Sequence, residues 1–460
     1  MAGTAVDPAF LSAVMTNPAA GVTGRLDLLD LFGDRFVRDP HPALDALRGA
    51  APVHYDPGTG LWLVSRYEDV RRILLDPVTY RPDNAQRAVT PLPVSALRAL
   101  ARAGFTLPPA LADNGGPTHA GLRHLVLRFF SAERVAAAVP LMEETATELL
   151  AGIQGRLAVG APGDLAAEYA RPLPCRVMMS LLGIEDVSAA TLLTWSDAAL
   201  ELFYGRPSAE RQTHLAKLVG DFHRWLSDQV DSAAGADGLV GALRRHRLPG
   251  GELLDAATAV AVCFFVFVAG QSTTGQLIST VLSRALADRE AWGRAAIEDA
   301  YAPAWVEEVL RREPPVTTWR RVAAREVALA GVRLPAGAQI LLMLMGTGSD
   351  PAVFAEPERL CPSRENVRRH LSFGAGRHRC PGATLARSEA SVALRVAAKA
   401  LPDTLLVEDG PPSMLGLLSF RAPMSVPVRR CTHDLGVTAA GRAAPGPRSS
   451  DTGSCARCGS

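Results

Sequence analysis

From Gly121 to about Ala302, apolar residues recur at intervals of three and four, the period of helices that each bury one face. The longest apolar run, Ala256 to Gly270, is interrupted only by Thr258. At fifteen residues it falls short of the ~20 needed to cross a bilayer, so it reads as part of a buried core helix running from about Leu254 to Asp288. The pattern shortens elsewhere. Gly60-Leu61-Trp62-Leu63-Val64-Ser65 reads as a strand, followed by a helix over Arg66–Leu74. Val327–Leu334 reads as a small hairpin and Ala338–Leu344 as a further strand. Residues 81–117 are rich in Pro, Ala and Gly, the composition of a loop with a short helix. The pattern is thus mostly helical with a few short strands, and no linker divides its middle. Residues 1–25 are small and irregular, predicting a flexible segment. Residues 431–460, with Ala444-Pro445-Gly446-Pro447-Arg448-Ser449-Ser450, predict a disordered tail.

Composition narrows the class. The chain has 460 residues, 48% of them hydrophobic, and a net charge of +1, which argues against a nucleic-acid-binding protein. Lys217 and Lys399 are its only lysines, a usage that fits a GC-rich bacterial genome. No basic stretch followed by an apolar run opens the chain, so no signal peptide is expected. Its seven cysteines are scattered rather than arranged as a disulfide framework. A reduced, cytoplasmic location, without a membrane, is the expectation. Cys455 and Cys458 have metal-ligand spacing but no second pair, and a structural zinc takes four ligands.

The candidate chemistry centres on Cys380, in Phe373-Gly374-Ala375-Gly376-Arg377-His378-Arg379-Cys380-Pro381-Gly382. Gly374 and Gly376 let the backbone turn tightly and approach a flat partner. Pro381 suits the first turn of a helix, and free N–H groups at a helix start favour a thiolate. Three glycines at fixed spacing coincide by chance at roughly 3 in 10,000 starts for a glycine usage of about 7%. A dinucleotide-binding loop requires a glycine where Arg379 stands. Outside the loop, His119 and Arg123 share one helix face, as do Glu308 and Arg311. Ala269-Gly270-Gln271-Ser272-Thr273-Thr274 lies within the long apolar helix, and its Gly270 costs about 1 kcal/mol against Ala, which suggests a reason for its presence.

These stretches together, from about residue 35 to 430, resemble the cytochrome P-450 family. The cysteine loop matches every fixed position of F-G-x-G-x-H-x-C-x-G. His119 to Arg123 resembles its H-x-x-x-R segment, Glu308 to Arg311 its E-x-x-R, and Ala269 to Thr274 its A-G-x-[DE]-T-T. Asp350–Phe354 and Pro362–Asn366 resemble the segment that precedes the cysteine loop. The resemblance implies a mainly α, single-domain helical prism over 26–430, with a small β region near 50–65 and 327–345, around haem b, with Cys380 as the axial metal ligand. Phe373, Gly374 and Gly382 would belong to the cofactor-binding loop. His119, Arg123, Arg321 and His378 would hold the haem carboxylates. Glu308 and Arg311 would form a structural triad with Arg359. Ala269 and Gly270 would leave room for dioxygen, and Thr273 would organise water for proton delivery. Ser272 departs from the pattern, standing where the family carries a carboxylate.

The resemblance implies a monooxygenase that inserts one oxygen atom of dioxygen into a C–H bond of a small organic substrate, of specialised-metabolite or antibiotic-like type. Electrons would come from a separate ferredoxin and ferredoxin reductase docking under Cys380, where Arg377 and Arg379 would meet an acidic partner. A monomer is expected. Alternatives are peroxide-driven oxygenation, ring coupling or nitrogen oxidation on the same haem, and a non-catalytic haem-binding or recruitment module. The expected pocket stretches are 84–110, 195–207, 264–273, 316–319 and 417–423, with Phe265, Phe267, Trp319 and Phe420 as walls.

Overall fold

The computed structural model describes residues 29–233, 238–407, 410 and 412–431 of the chain. The segment expected to be flexible at 1–25, and the tail with Cys455 and Cys458, lie outside the described residues. Within them no cluster of three or more His, Cys, Asp or Glu side chains is placed to hold a metal.

The apolar run at 256–270 becomes the first half of a helix spanning Ala256–Ala287. Asp255 caps it, its carboxylate accepting from the Thr258 N–H at 2.8 Å. Asp288 closes it and also caps the next helix, Arg289–Ile297. At 32 residues the helix is long and apolar enough to cross a bilayer by length and composition, yet 61% of its most apolar window is buried inside the protein. It reaches well past the fifteen-residue run, because Thr273, Thr274 and Gln276 interrupt the apolar pattern without breaking the helix. Val262, Phe267, Ile278 and Val281 on it are almost fully buried, each stabilising the fold by about 1.5–3 kcal/mol. Packed around it are the helices Pro172–Leu182, Ala189–Tyr204, Ala209–Ser232 and Ala383–Ala400. The main core runs continuously through all of them.

The β region is small. Strands β1 (Val53–Asp56), β2 (Leu61–Val64), β3 (Tyr80–Arg81), β5 (Trp319–Ala323) and β8 (Gln339–Leu342) form one sheet in the order β1-β2-β8-β5-β3. β2 runs parallel to β8, and β5 runs antiparallel to it, pairing Trp319 with Leu342 and Arg321 with Ile340. The expected hairpin is β6 (Val327–Leu329) against β7 (Val332–Leu334). Strands β4 (Gly163–Asp164), β9 (Thr404–Leu406) and β10 (Pro427–Arg430) make a second sheet in the order β4-β10-β9. The short helix expected within 81–117 is Val94–Arg102. Strand β5 and the middle of the long helix both border one internal cavity.

Candidate active site

Cys380 borders this cavity on a loop whose backbone turns as the glycines require. Gly374 and Gly376 have φ of 68° and 65°, the left-handed region that side chains avoid. A side chain at Gly376 would also meet the Leu74 carbonyl. The Cys380 N–H donates to the Phe373 carbonyl at 2.8 Å, closing the loop. The following helix begins at Ala383 with Gly382 as its cap. Pro381 therefore stands before the helix rather than in its first turn. Burial pushes the Cys380 thiol up, while the Gly382 N–H and Arg123, Arg379 and Arg387 pull it down. The helix start thus favours a thiolate, as expected, but works against desolvation.

The four groups expected to hold carboxylates converge on the same cavity. His119, Arg123, Arg321 and His378 all line it, together with Phe373, Gly374, Cys380 and Gly382. The His119 and His378 rings lie 4.4 Å apart. Arg377 donates from Nε to His119 Nδ1 at 3.1 Å, which leaves the His119 proton on Nε2. Burial, aided by Arg377 and Arg123, lowers His119 to about 4. Burial, with His119 and Arg321 next, lowers His378 to about 3. Arg321 is lowered by burial only to about 10. Near neutral pH the two arginines supply the charge and the two histidines act as neutral donors. Among the described residues, both ring nitrogens of His378 and the Arg321 Nε are buried without a hydrogen-bond partner. A thiol, two arginines and unpartnered donors on one cavity fit a flat, dianionic group ligated through sulfur, such as haem.

On the long helix, Ala269, Gly270, Thr273 and Thr274 line the cavity, and Ser272 does not. The Thr273 hydroxyl donates to the Ala269 carbonyl at 2.6 Å, leaving its lone pairs to accept from the cavity. The Ser272 hydroxyl is buried with no hydrogen-bond partner among the described residues. Gly270 has a packing reason that the sequence did not show: a Cβ there would come within 2.9 Å of Met178 Cε and 3.2 Å of its sulfur. Met178, from the Pro172–Leu182 helix, itself lines the cavity.

Three of the four expected aromatic walls, Phe265, Trp319 and Phe420, line the cavity. Phe267 does not. It is 2% exposed and packs edge-on against Phe222 and Trp225, because two residues along the helix from Phe265, about 200° of rotation, turn it away from the cavity and into the core. Phe203, Phe264 and Leu111 complete the apolar lining.

The Glu308–Arg311 pair is fully buried at 2.9 Å. The arginine that joins it is Arg364, with Nε 2.8 Å from Glu308, and not Arg359 as expected. Arg359 turns its half-exposed side chain to Glu356 and contributes its backbone carbonyl, which accepts from Arg311 Nη2 at 2.8 Å. Arg311 also donates to the carbonyls of Gly348 and Pro357, so the buried guanidinium is fully engaged. A neighbouring bridge escaped the sequence reading. Glu307 accepts from Arg387 Nε at 2.5 Å and from His370 Nε2 at 3.0 Å. Arg387 lies over the Phe373 ring at 4.4 Å. The helix Tyr301–Arg312 is thereby tied, from two successive residues, to the segments that flank the cysteine loop on either side.

Under the loop, Arg379 is exposed, whereas Arg377, though exposed, is also tied to His119 and to the Gly116 carbonyl.

The family model described as Cytochrome P450 matches residues 298–396. The chain is 31% identical over 404 residues to the Cytochrome P450 monooxygenase PikC of Streptomyces venezuelae, covering 85% of this chain and 91% of that one. It is 31% identical to the Nocardicin C N-oxygenase of Nocardia uniformis subsp. tsuyamanensis, covering 86% and 97%. Among solved structures, cytochrome P450 CREJ in complex with (4-ethylphenyl) dihydrogen phosphate superposes with a TM-score of 0.82 at 29% identity, covering 86% of this chain and 98% of that one. With a whole-length likeness of this order, and a cysteine, two arginines, two histidines and a threonine-bearing helix around one cavity, the chain belongs to the cytochrome P450 family.

Proposed function

We propose that the protein is a haem-thiolate monooxygenase inserting one oxygen atom of dioxygen into a C–H bond of a small organic substrate, with electrons from a separate ferredoxin and its reductase. The observation that carries this reading is the single cavity that Cys380 and Thr273 line together with His119, Arg123, Arg321 and His378. Haem, when bound, supplies the activation of dioxygen and the oxidation of the substrate. Cys380 would hold the iron, and the two arginines and two histidines would hold the carboxylates. Phe373, Gly374 and Gly382 would bound the site beside the thiolate. Ala269 and Gly270 would border the space for dioxygen. Thr273, its own proton committed to the Ala269 carbonyl, would accept a hydrogen bond from a cavity water and keep that water in place for proton delivery. The apolar walls would exclude bulk water. The exposed Arg379 is a candidate contact for an acidic electron donor.

The absence of a carboxylate at position 272, and the failure of Ser272 to reach the cavity, favour as second reading a chemistry less dependent on a carboxylate relay. Peroxide-driven oxygenation is of that kind, because peroxide brings its oxygen already reduced and protonated; ring coupling and nitrogen oxidation remain alternatives on the same haem, the latter named for one relative. Turnover with ferredoxin, reductase and NAD(P)H under labelled dioxygen, against turnover with hydrogen peroxide alone, decides between the two. The monooxygenase reading expects label in the product with the first system, and no haem-thiolate carbon monoxide band from Cys380→Ala. A Cys380→Ala protein that keeps that band sinks the assignment of the ligand. Failure of both systems to yield product favours a non-catalytic haem protein.

A further inference from the structure

Among the polar side chains that line the cavity, one is left unused by the proposed reaction. Gln86 lines the cavity, half-buried, and its amide makes no side-chain hydrogen bond among the described residues. The other polar groups are mostly committed. Thr273 donates to the Ala269 carbonyl, Tyr204 to the Ala85 carbonyl and Ser372 to the Leu310 carbonyl. Thr274 is left as a short hydroxyl, 4% exposed. Gln86 brings two N–H donors and a carbonyl on a longer side chain.

The backbone that presents Gln86 is held from several sides. Arg320 donates from Nη2 to the Ala85 carbonyl at 3.0 Å and to the Arg87 carbonyl at 2.6 Å, gripping both neighbours of Gln86. The Arg87 N–H turns back to the Asn84 carbonyl at 3.2 Å, and the Asn84 amide donates to the Arg321 carbonyl at 3.1 Å. Arg320 is 5% exposed, and burial lowers its basicity, with Tyr204 the largest opposing influence. A buried guanidinium spent on two carbonyls of a loop fixes that loop's position.

The charge on the lining is equally one-sided. No carboxylate lines the cavity among the described residues, and its arginines and histidines are the four groups placed above against the cofactor. The cavity that Gln86 lines has Phe203, Phe264, Phe265, Trp319 and Phe420 among its walls. Such walls offer no counter-charge to an ionic guest, and a charge brought into them loses its hydration without compensation.

We infer that Gln86 is the polar anchor of the substrate pocket, held in place by Arg320, and that the substrate is a neutral, bulky, largely apolar molecule whose carbonyl, hydroxyl or amide meets the Gln86 side chain. The inference rests on the monooxygenase reading and goes beyond it by naming the class of substrate and the residue that selects it.

The test uses the haem-loaded full chain, as wild type, Gln86→Leu and Gln86→Asn, each first checked for the haem-thiolate carbon monoxide band. The probes are cyclic ketones graded from monoterpene to steroid size, their parent hydrocarbons, and carboxylate and ammonium analogues of the same skeletons. Binding is read from the change in the Soret band on titration. Wild type is expected to bind at least one ketone roughly tenfold more tightly than its hydrocarbon, the worth of one good hydrogen bond, and every charged analogue more weakly. Gln86→Leu should abolish that ratio while retaining hydrocarbon affinity, and Gln86→Asn should keep part of it. A ratio unchanged in Gln86→Leu, no ketone preferred by wild type, or tightest binding by a charged analogue each overturns the inference. A wild type without the carbon monoxide band overturns the monooxygenase reading instead.

Discussion

Met178 lies across the gap in the long helix that Gly270 leaves, with three of its side-chain atoms within 3.6 Å of where a Cβ would stand. The small residue expected to make room for dioxygen therefore also makes room for a side chain from the neighbouring helix. Gly270→Ala should push the flexible end of Met178 aside, offsetting part of the about 1 kcal/mol that alanine gains in helix propensity. Met178→Ala should cost about 2 kcal/mol or more through the cavity it leaves. The double variant should be more stable than the sum of the two, by at least about 0.5 kcal/mol of coupling in a denaturant-unfolding cycle. Strict additivity would show that the contact does not matter.

Glu308 is the hub of a buried cluster, accepting from Arg311, Arg364 and the Cys361 N–H. Removing one member of a buried ion pair costs about 3–5 kcal/mol. Glu308→Ala and Arg364→Ala should therefore yield little soluble, haem-bound protein. Arg359→Ala should stay within about 1 kcal/mol of wild type, since its ion pair is exposed and its carbonyl is retained. Expression yield and haem-to-protein ratio read all three, and equal losses in Arg359→Ala and Arg364→Ala would contradict the assignment of Arg364 to the cluster.

His41 is lowered to about 3, chiefly by burial and next by Arg312, with Arg421 and Arg284 acting the same way and Glu313 opposing. Its Nε2 is buried without a partner. In the unfolded chain it titrates near 6.5. Between those values the unfolded state binds the proton and the folded state does not, so stability falls as pH drops from about 6.5 towards 3, and is fully present above that window. The contribution is at most about 1.4 kcal/mol per pH unit. Thermal melts of wild type and His41→Asn across pH 7 to 4 should diverge in slope, with the variant the flatter. Parallel curves would mean that His41 is not the neutral group described.

Thr273→Ala removes the hydroxyl expected to hold the proton-delivering water. It should still consume NAD(P)H with the electron-transfer proteins but release more peroxide and less product. Ser272→Glu puts a carboxylate beside a position that does not line the cavity. It is expected to raise coupling only if the helix lets the longer side chain reach water. Peroxide measured per NAD(P)H consumed follows both variants, and an unchanged ratio in Thr273→Ala removes Thr273 from the relay.

The cysteine loop was legible because several demands coincide on a few residues. Positive φ requires glycine at 374 and 376, and ligation requires the cysteine. The long helix was legible because its apolar run is continuous. Choices between like residues were not. Arg359 and Arg364 stand five apart in an irregular segment, and only the path of that segment decides which reaches Glu308. Phe265 and Phe267 differ by two residues of helical rotation, which local periodicity does not resolve. Met178 and Gln86 had no signal of their own, since a methionine in an apolar helix and a glutamine in a loop are ordinary until the fold sets them beside the cavity. The Glu307–Arg387 bridge joins residues 80 apart in the chain.

Strand β5 carries Trp319, Arg320 and Arg321 in succession. The first and third line the cavity, while the second reaches to the loop of Gln86. Successive side chains on a strand point to opposite faces, so a shift of one residue exchanges those faces. Trp319 can thus be varied through evolution to admit a different guest without disturbing the groups on either side. A single-residue insertion or deletion in the same strand would swap the loop clamp with the cofactor grip at one stroke. Along this strand the protein is open to substitution and closed to any change of length.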